Sequence, residues 1–228
     1  KIVETFPGFK ESFCDLDTID CSDGRVLDGK KIGIAGSLIL LPKIEKEKFI
    51  EAYNSKIKVL TAHRDCGAAD AAFKLLKPEE IPEGVKTADE YGIYCAKKNA
   101  ADLGAEFRFL DIEEMASKNH NEIGLVLDQT GRFNSTNLEN FPPHFVCTGA
   151  GLGFSPEYMK IEMETLVGIA LGHHGYGERF AKENPFYIMV AAKNSLDQAN
   201  WSTVAREVAS KFGDKVKIES FLSPEEQK

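Results

Sequence analysis

Lys58-Val59-Leu60-Thr61-Ala62-His63-Arg64-Asp65-Cys66-Gly67 opens as an apolar, partly β-branched run and closes on a histidine, a cysteine and a glycine. The run reads as a buried strand. Its end, with two soft ligands three positions apart before a glycine, reads as a ligand-bearing turn at the mouth of a sheet. A second stretch, Asp20-Cys21-Ser22-Asp23-Gly24-Arg25, also follows a short apolar run, Thr18-Ile19. Together the two supply two thiols and an imidazole, with a carboxylate and a guanidinium beside them. Zinc favours sulfur and nitrogen ligands, and catalytic zinc sites use three protein ligands plus one open position. Cys21, His63 and Cys66 form such a set.

Working outward from these turns, the apolar runs alternate with helical patterns. Strands are expected at 18–21, 31–36, 57–62, 106–110, 144–148, 186–191 and 216–221, with a further apolar segment at 122–127. Helices are expected from Pro42 to Tyr53 (buried face Ile44, Phe49, Ile50 and Tyr53), Ala68 to Leu76, Thr87 to Leu103, Asp111 to Lys118, Ser155 to Leu171 and Ser202 to Phe212. Thr87 with Glu90 forms a capping box, and Gly104 is a stop. The apolar positions from Met159 to Ala170 cover more than one helical stripe, which predicts burial on more than one side. Residues 128–143, rich in Asn, Thr, Gly and Pro, read as a loop.

Alternation of strand and helix predicts an α/β fold with a mostly parallel central sheet flanked by helices. The 228 residues suffice for one sizeable core. The chain therefore reads as a single α/β domain over 1–228, with an N-terminal arm (residues 1–15) and a C-terminal β-α-β extension (about 186–221). No internal repeat and no low-complexity linker is legible.

A net charge of −8 argues against nucleic acid or an anionic membrane as the main partner. No run of about 20 apolar residues exists, so no membrane span is expected. The chain begins at Lys1 rather than Met, which leaves a removed leader open. Five cysteines, an odd and sparse set, do not make a disulfide framework and point to a reducing, cytoplasmic setting. Cys95 and Cys147 read as buried apolar fillers, and Cys14 carries no signal.

The pattern Cys21-X-Asp23-X-Arg25, followed by a strand ending in His63-X-X-Cys66-Gly67, resembles the β-class carbonic anhydrases; Val26 and Asp65 fit the same pattern. The resemblance covers residues 16–76. It implies the fold of that family and zinc held by Cys21, His63 and Cys66. It further implies an Asp23–Arg25 dyad that orients the metal-bound water or lets Asp23 close the site as a fourth ligand. The implied activity is that of a zinc lyase hydrating CO2 to bicarbonate through zinc-bound hydroxide, with Gly67 beside the substrate and a homodimer or higher homo-oligomer as the assembly. The chain departs from the family in the close spacing of Cys21 and His63 and in the second strand, where Gly33-Ile34-Ala35-Gly36-Ser37 keeps only Ala35-Gly36 of the usual segment.

Other readings of the same residues remain open. Cys21 and Cys66 could be apolar thiols, and His63, Asp23 and Arg25 an ordinary salt-bridged turn. The same site could hydrolyse a CO2-like molecule such as carbonyl sulfide or carbon disulfide, or hold zinc without turnover. A Cys–His nucleophile pair is disfavoured, because two cysteines around one histidine suit a metal better than acyl transfer. His173 and His174 read as polar residues at a helix end, with a pocket-lining or proton-shuttling role as the alternative.

Overall fold

The computed structural model of the chain describes residues 3–23, 31–111, 120–172 and 175–224. It divides into two compact units: Asp17–Lys118, and Lys1–Leu16 together with Asn119–Lys228. No described helix is long and apolar enough to cross a membrane.

The unit Asp17–Lys118 contains, in order, β1 (Thr18–Asp20), β2 (Lys31–Gly33), α1 (Lys43–Tyr53), β3 (Val59–His63), α2 (Gly67–Leu75), α3 (Ala88–Leu103) and β4 (Glu106–Leu110). Its sheet runs β2-β1-β3-β4, all parallel. Ile19 and Leu60 sit opposite each other on β1 and β3 and are fully buried, so the two strands that carry the ligand turns lie in the middle of the core. α3 starts where expected: the Thr87 hydroxyl accepts from the Glu90 N–H, and the Glu90 carboxylate accepts from the Thr87 N–H. It stops at Gly104, whose φ of 65° is left-handed and cheap only for glycine.

The other unit contains β5 (Gly124–Asp128), β6 (His144–Cys147), α4 (Pro156–Leu171), β7 (Phe186–Ala192), α5 (Ser195–Ser210) and β8 (Val216–Leu222). Its sheet runs β6-β5-β7-β8, again all parallel. The N-terminal arm belongs here. Val3 is part of the core, Phe6, Phe9 and Phe13 pack against it, and Phe13 bridges Phe133. Both sheets are the α/β, parallel, helix-flanked architecture that the alternation predicts.

The expected single central sheet is instead two sheets, and 186–221 is no extension. β7 pairs with β5 on one side and β8 on the other, inside the second sheet. Parallel strands buried on both faces are continuous apolar runs without alternation, so the sequence carries little about which run pairs with which.

Three helices also differ. Ile44 of α1 is 67% exposed while Phe49 is buried, so the buried face of that helix is narrower than its apolar pattern. α4 buries one stripe, Met159, Met163, Leu166, Val167 and Ala170, and leaves Ile161 60% exposed. α5 starts at Ser195, earlier than the expected Ser202, because the Asn194 side chain accepts the Asp197 N–H and caps it there. The helix expected over Asp111–Lys118 falls on 112–118, which lies outside the described residues, as do Gly24, Arg25, Val26, His173 and His174.

Candidate metal centre

β1 ends at Asp20, so Cys21 is the first residue beyond it, and β3 ends in His63. The two strands are neighbours and parallel. Their carboxyl ends open on the same edge, where open α/β sheets bind ligands. From His63 the chain must turn back within three residues. Asp65 takes a left-handed φ of 54°, a conformation that aspartate tolerates better than most residues, and its N–H donates to the Asp89 carboxylate at 3.0 Å. The turn delivers Cys66 as the N-cap of α2.

Cys21, His63 and Cys66 present one sulfur or nitrogen each, all within 4.8 Å of one another. The two sulfurs are 3.9 Å apart. Two thiolates on a tetrahedral zinc at about 2.3 Å would be separated by about 3.8 Å, so the spacing fits such an ion. The residues are 5%, 3% and 6% exposed in chain order.

The remaining contacts aim these groups. His63 Nδ1 lies 2.8 Å from the Arg64 carbonyl, which can only accept, so Nδ1 carries the proton. In the neutral ring that leaves the lone pair on Nε2, which is buried and without a hydrogen-bond partner. Metal-binding histidines are fixed in the same way, by donation from the other ring nitrogen. The Gly36 N–H donates to the Cys21 sulfur at 3.2 Å. Asp23, 4% exposed, places Oδ2 3.8 Å from His63 Nε2, and the Lys31 ammonium donates to the Asp23 carbonyl at 3.3 Å. On the neighbouring strands, the Thr61 hydroxyl donates to the fully buried Asp20 carboxylate. The Arg64 guanidinium grips Asp111 at 3.2 Å on the half-buried flank.

The electrostatics follow from crowding. A hydrogen bond from Cys66 stabilises the Cys21 thiolate and, against the opposing effect of burial, pulls its pKa well below the usual thiol value. The same bond, with burial, pushes Cys66 well above it. Burial works to lower His63, but the Cys21 sulfur and the Asp23 carboxylate beside it outweigh that and raise it to about 9. These shifts favour the ionised form of Cys21 and the protonated forms of Cys66 and His63. A cation entering must displace those protons, so its affinity falls as the pH falls.

Of the residues expected at the site, the structure brings together Cys21, His63, Cys66 and Asp23. Gly67 is the exposed first residue of α2, directly after Cys66. Arg25 lies outside the described residues, so the dyad geometry is not described. Sequence reading missed Gly36, Lys31 and the Asp20–Thr61 pair. Lys31 carried a signal, a lysine opening an otherwise apolar strand; Gly36 carried one in the retained Ala-Gly pair. No family model, no curated protein and no solved structure matches the chain.

Proposed function

We propose that the chain is a zinc-dependent lyase that hydrates CO2 to bicarbonate. The observation that carries the reading is the buried Cys21–His63–Cys66 trio at two adjacent strand ends, with the Asp23 carboxylate 3.8 Å from the imidazole. Two sulfurs and one nitrogen suit zinc better than the hard cations, which take oxygen ligands. When bound, zinc supplies Lewis acidity that brings the pKa of a water to about 7, an effect for which carbonic anhydrase is the reference case.

The chain's own residues do the rest. Cys21, His63 and Cys66 hold the ion, and the Arg64 carbonyl fixes the His63 tautomer. Asp23 accepts a hydrogen bond from the attacking water and so orients its lone pair toward the CO2 carbon. Lys31 pins the Asp23 backbone, and Arg25 is assigned to hold the Asp23 side chain off the metal. The water oxygen bonds to carbon, one C=O π pair moves to oxygen, and one proton leaves to solvent. The small-molecule substrate, a homodimer or higher homo-oligomer, and a cytoplasmic setting complete the reading.

Stopped-flow CO2 hydration by stripped and zinc-reloaded protein tests it. Activity returning with about one zinc per chain, the content of a single three-ligand site, is expected. A zinc-loaded protein inactive from about pH 6 to 9, a span around the expected water pKa near 7, would overturn it. The same preparation assayed for carbonyl sulfide or carbon disulfide hydrolysis tests the related substrates.

One observation favours a second reading, a zinc protein without turnover: Asp23 and all three ligands are between 3% and 6% exposed. With Asp23 as fourth ligand the site would be closed, as structural zinc sites are. Zinc content without hydration or hydrolysis would support that reading.

A further inference from the structure

The two sheets have the same order and the same chain sequence around them. In each, the first strand lies between the second and third, and the fourth lies outside the third: β2-β1-β3-β4 and β6-β5-β7-β8. In each, a helix joins the second strand to the third; between the third and fourth strands the first unit has two helices, α2 and α3, and the second has one, α5. Matching Asp20 to Asp128, the last residues of the two central strands, fixes the rest through the registers. Asp20 pairs with Gly33, and Leu127 pairs with Cys147, so Gly33 matches Thr148 and Ala35-Gly36 falls on Ala150-Gly151. Ile19 pairs with Leu60, and Asp128 with Ala191, so Ala62 falls on Ala192 and His63 on Lys193. Cys66 and Asn194 are both the N-cap of the helix that follows. Cys21 falls on Gln129.

We infer that the chain is an internal duplication of one β-β-α-β-α-β module, the first copy carrying one helix more between its last two strands, in which the second copy has a hydrogen-bond network where the first has its metal-ligand trio. Gln129, Lys193 and Asn194 stand where Cys21, His63 and Cys66 stand in the first copy. The Gln129 side-chain carbonyl accepts the Lys193 N–H at 2.8 Å, and its amide donates to the Asp197 carboxylate at 3.0 Å. That same carboxylate oxygen accepts from the Asn194 amide at 2.8 Å, while the Asn194 carbonyl accepts the Asp197 N–H at 2.9 Å. The Gln129 and Asn194 side chains at the two cysteine positions are thus engaged with their neighbours. None is a thiol or an imidazole, the groups a zinc site of this type uses, and an ammonium is a cation itself. The second copy's one cysteine, Cys147, is on β6 and fully buried.

In the second copy the turn after the first strand is held by its own aspartate. The Asp128 carboxylate accepts the N–H groups of Thr130, Gly131 and Phe133. Gly151 lies so close to Gly131 that a Cβ there would stand 2.2 Å from the Gly131 nitrogen. The strand order and register that place the three positions are common to both copies and the ligand side chains are not, so the second module is a metal-free counterpart of the first.

The inference rests on the first copy being a metal site, and cobalt(II) binding to the full chain separates the two claims. Wild type is expected to bind about one cobalt per chain with thiolate-to-metal absorption, as a single three-ligand site does, and Gln129→Ala and Asp197→Ala should leave that stoichiometry unchanged. In a Cys21→Ser/Cys66→Ser background, binding should vanish. It should return when Gln129→Cys is combined with replacement of Lys193-Asn194 by the four residues His-Arg-Asp-Cys of the first copy. Wild type that binds none would overturn the metal site itself. A second equivalent in wild type that Gln129→Ala removes, or a grafted protein with wild-type circular dichroism that binds none, would overturn the duplication with ligand loss. If the graft does not fold, the stoichiometries of wild type and Gln129→Ala decide alone.

Discussion

The backbone N–H of Gly36 points at the sulfur of Cys21 from 3.2 Å, so the loop leaving β2 helps to set the charge on a candidate metal ligand that leaves β1. A hydrogen bond to the thiolate favours the ionised, metal-binding form. Gly36 has a φ of +61°, and a Cβ there would come within 2.9 Å of the Ala68 Cβ on α2. Gly36→Ala is expected to cost at least about 1–2 kcal/mol from the left-handed backbone alone. It should also weaken metal binding by tilting the N–H away from the sulfur. Thermal melting and a zinc competition titration check both; unchanged affinity in a destabilised protein would separate the N–H from the ligand.

Cys66 is expected to be indispensable for the metal. Cys66→Ser keeps the size but puts a hydroxyl, a far weaker zinc ligand than a thiolate, where the second sulfur stood. Metal affinity should fall at least about 100-fold, more than the 10–100-fold typical of changes outside the ligand shell. Elemental analysis after dialysis checks this, and full retention of zinc by the variant would remove Cys66 from the ligand set.

Asp23 should show the opposite pattern. It lies beside the imidazole without being one of the clustered three, so Asp23→Ala is expected to keep its zinc. It should lose about 100-fold or more in hydration rate, the usual contribution of a positioned acid–base group. Paired zinc content and stopped-flow rates decide it. Wild-type rates would take Asp23 out of the mechanism, and loss of zinc would make it a ligand of a closed site.

The clustering of Cys21, His63 and Cys66 was legible in the sequence, because the candidate ligands lie in short local segments, His63-X-X-Cys66 and Cys21-X-Asp23, at strand ends. The contacts that orient them are not local. Gly36 reaches Cys21, and Thr61 reaches Asp20 across the sheet, and such pairings need the register. The two-sheet division and the repeat were hidden for the same reason. The copies share Asp20/Asp128, Ala35-Gly36/Ala150-Gly151 and Ala62/Ala192, identities too few to notice before strand pairing aligns them. Capping residues spoke for themselves at Thr87 and Ser155, whereas Ile44 and Ile161 show that an apolar residue in a helical pattern need not face the core.

Asp128 offers a test of the turn that follows β5. Its carboxylate accepts from the Thr130 N–H and hydroxyl and the Gly131 N–H on one oxygen, and from the Phe133 N–H on the other. Asp128→Asn must set an NH2 group against one of these donors, which should destabilise the protein by about 1–3 kcal/mol, the cost of a buried unsatisfied donor. The pH dependence has a defined sign. Burial raises the Asp128 pKa, and the four hydrogen bonds only partly oppose it. Its folded value therefore exceeds the unfolded one of about 3.9. Between those values the folded chain holds more of the proton, so this group's contribution to stability is full below the unfolded value and is lost as the pH rises through the folded one. Asparagine has no such proton. The stability advantage of wild type over Asp128→Asn, measured by urea unfolding, should be larger near pH 4, close to that unfolded value, than at neutrality. An advantage that grows with pH would show that the hydrogen bonds, rather than burial, govern this carboxylate.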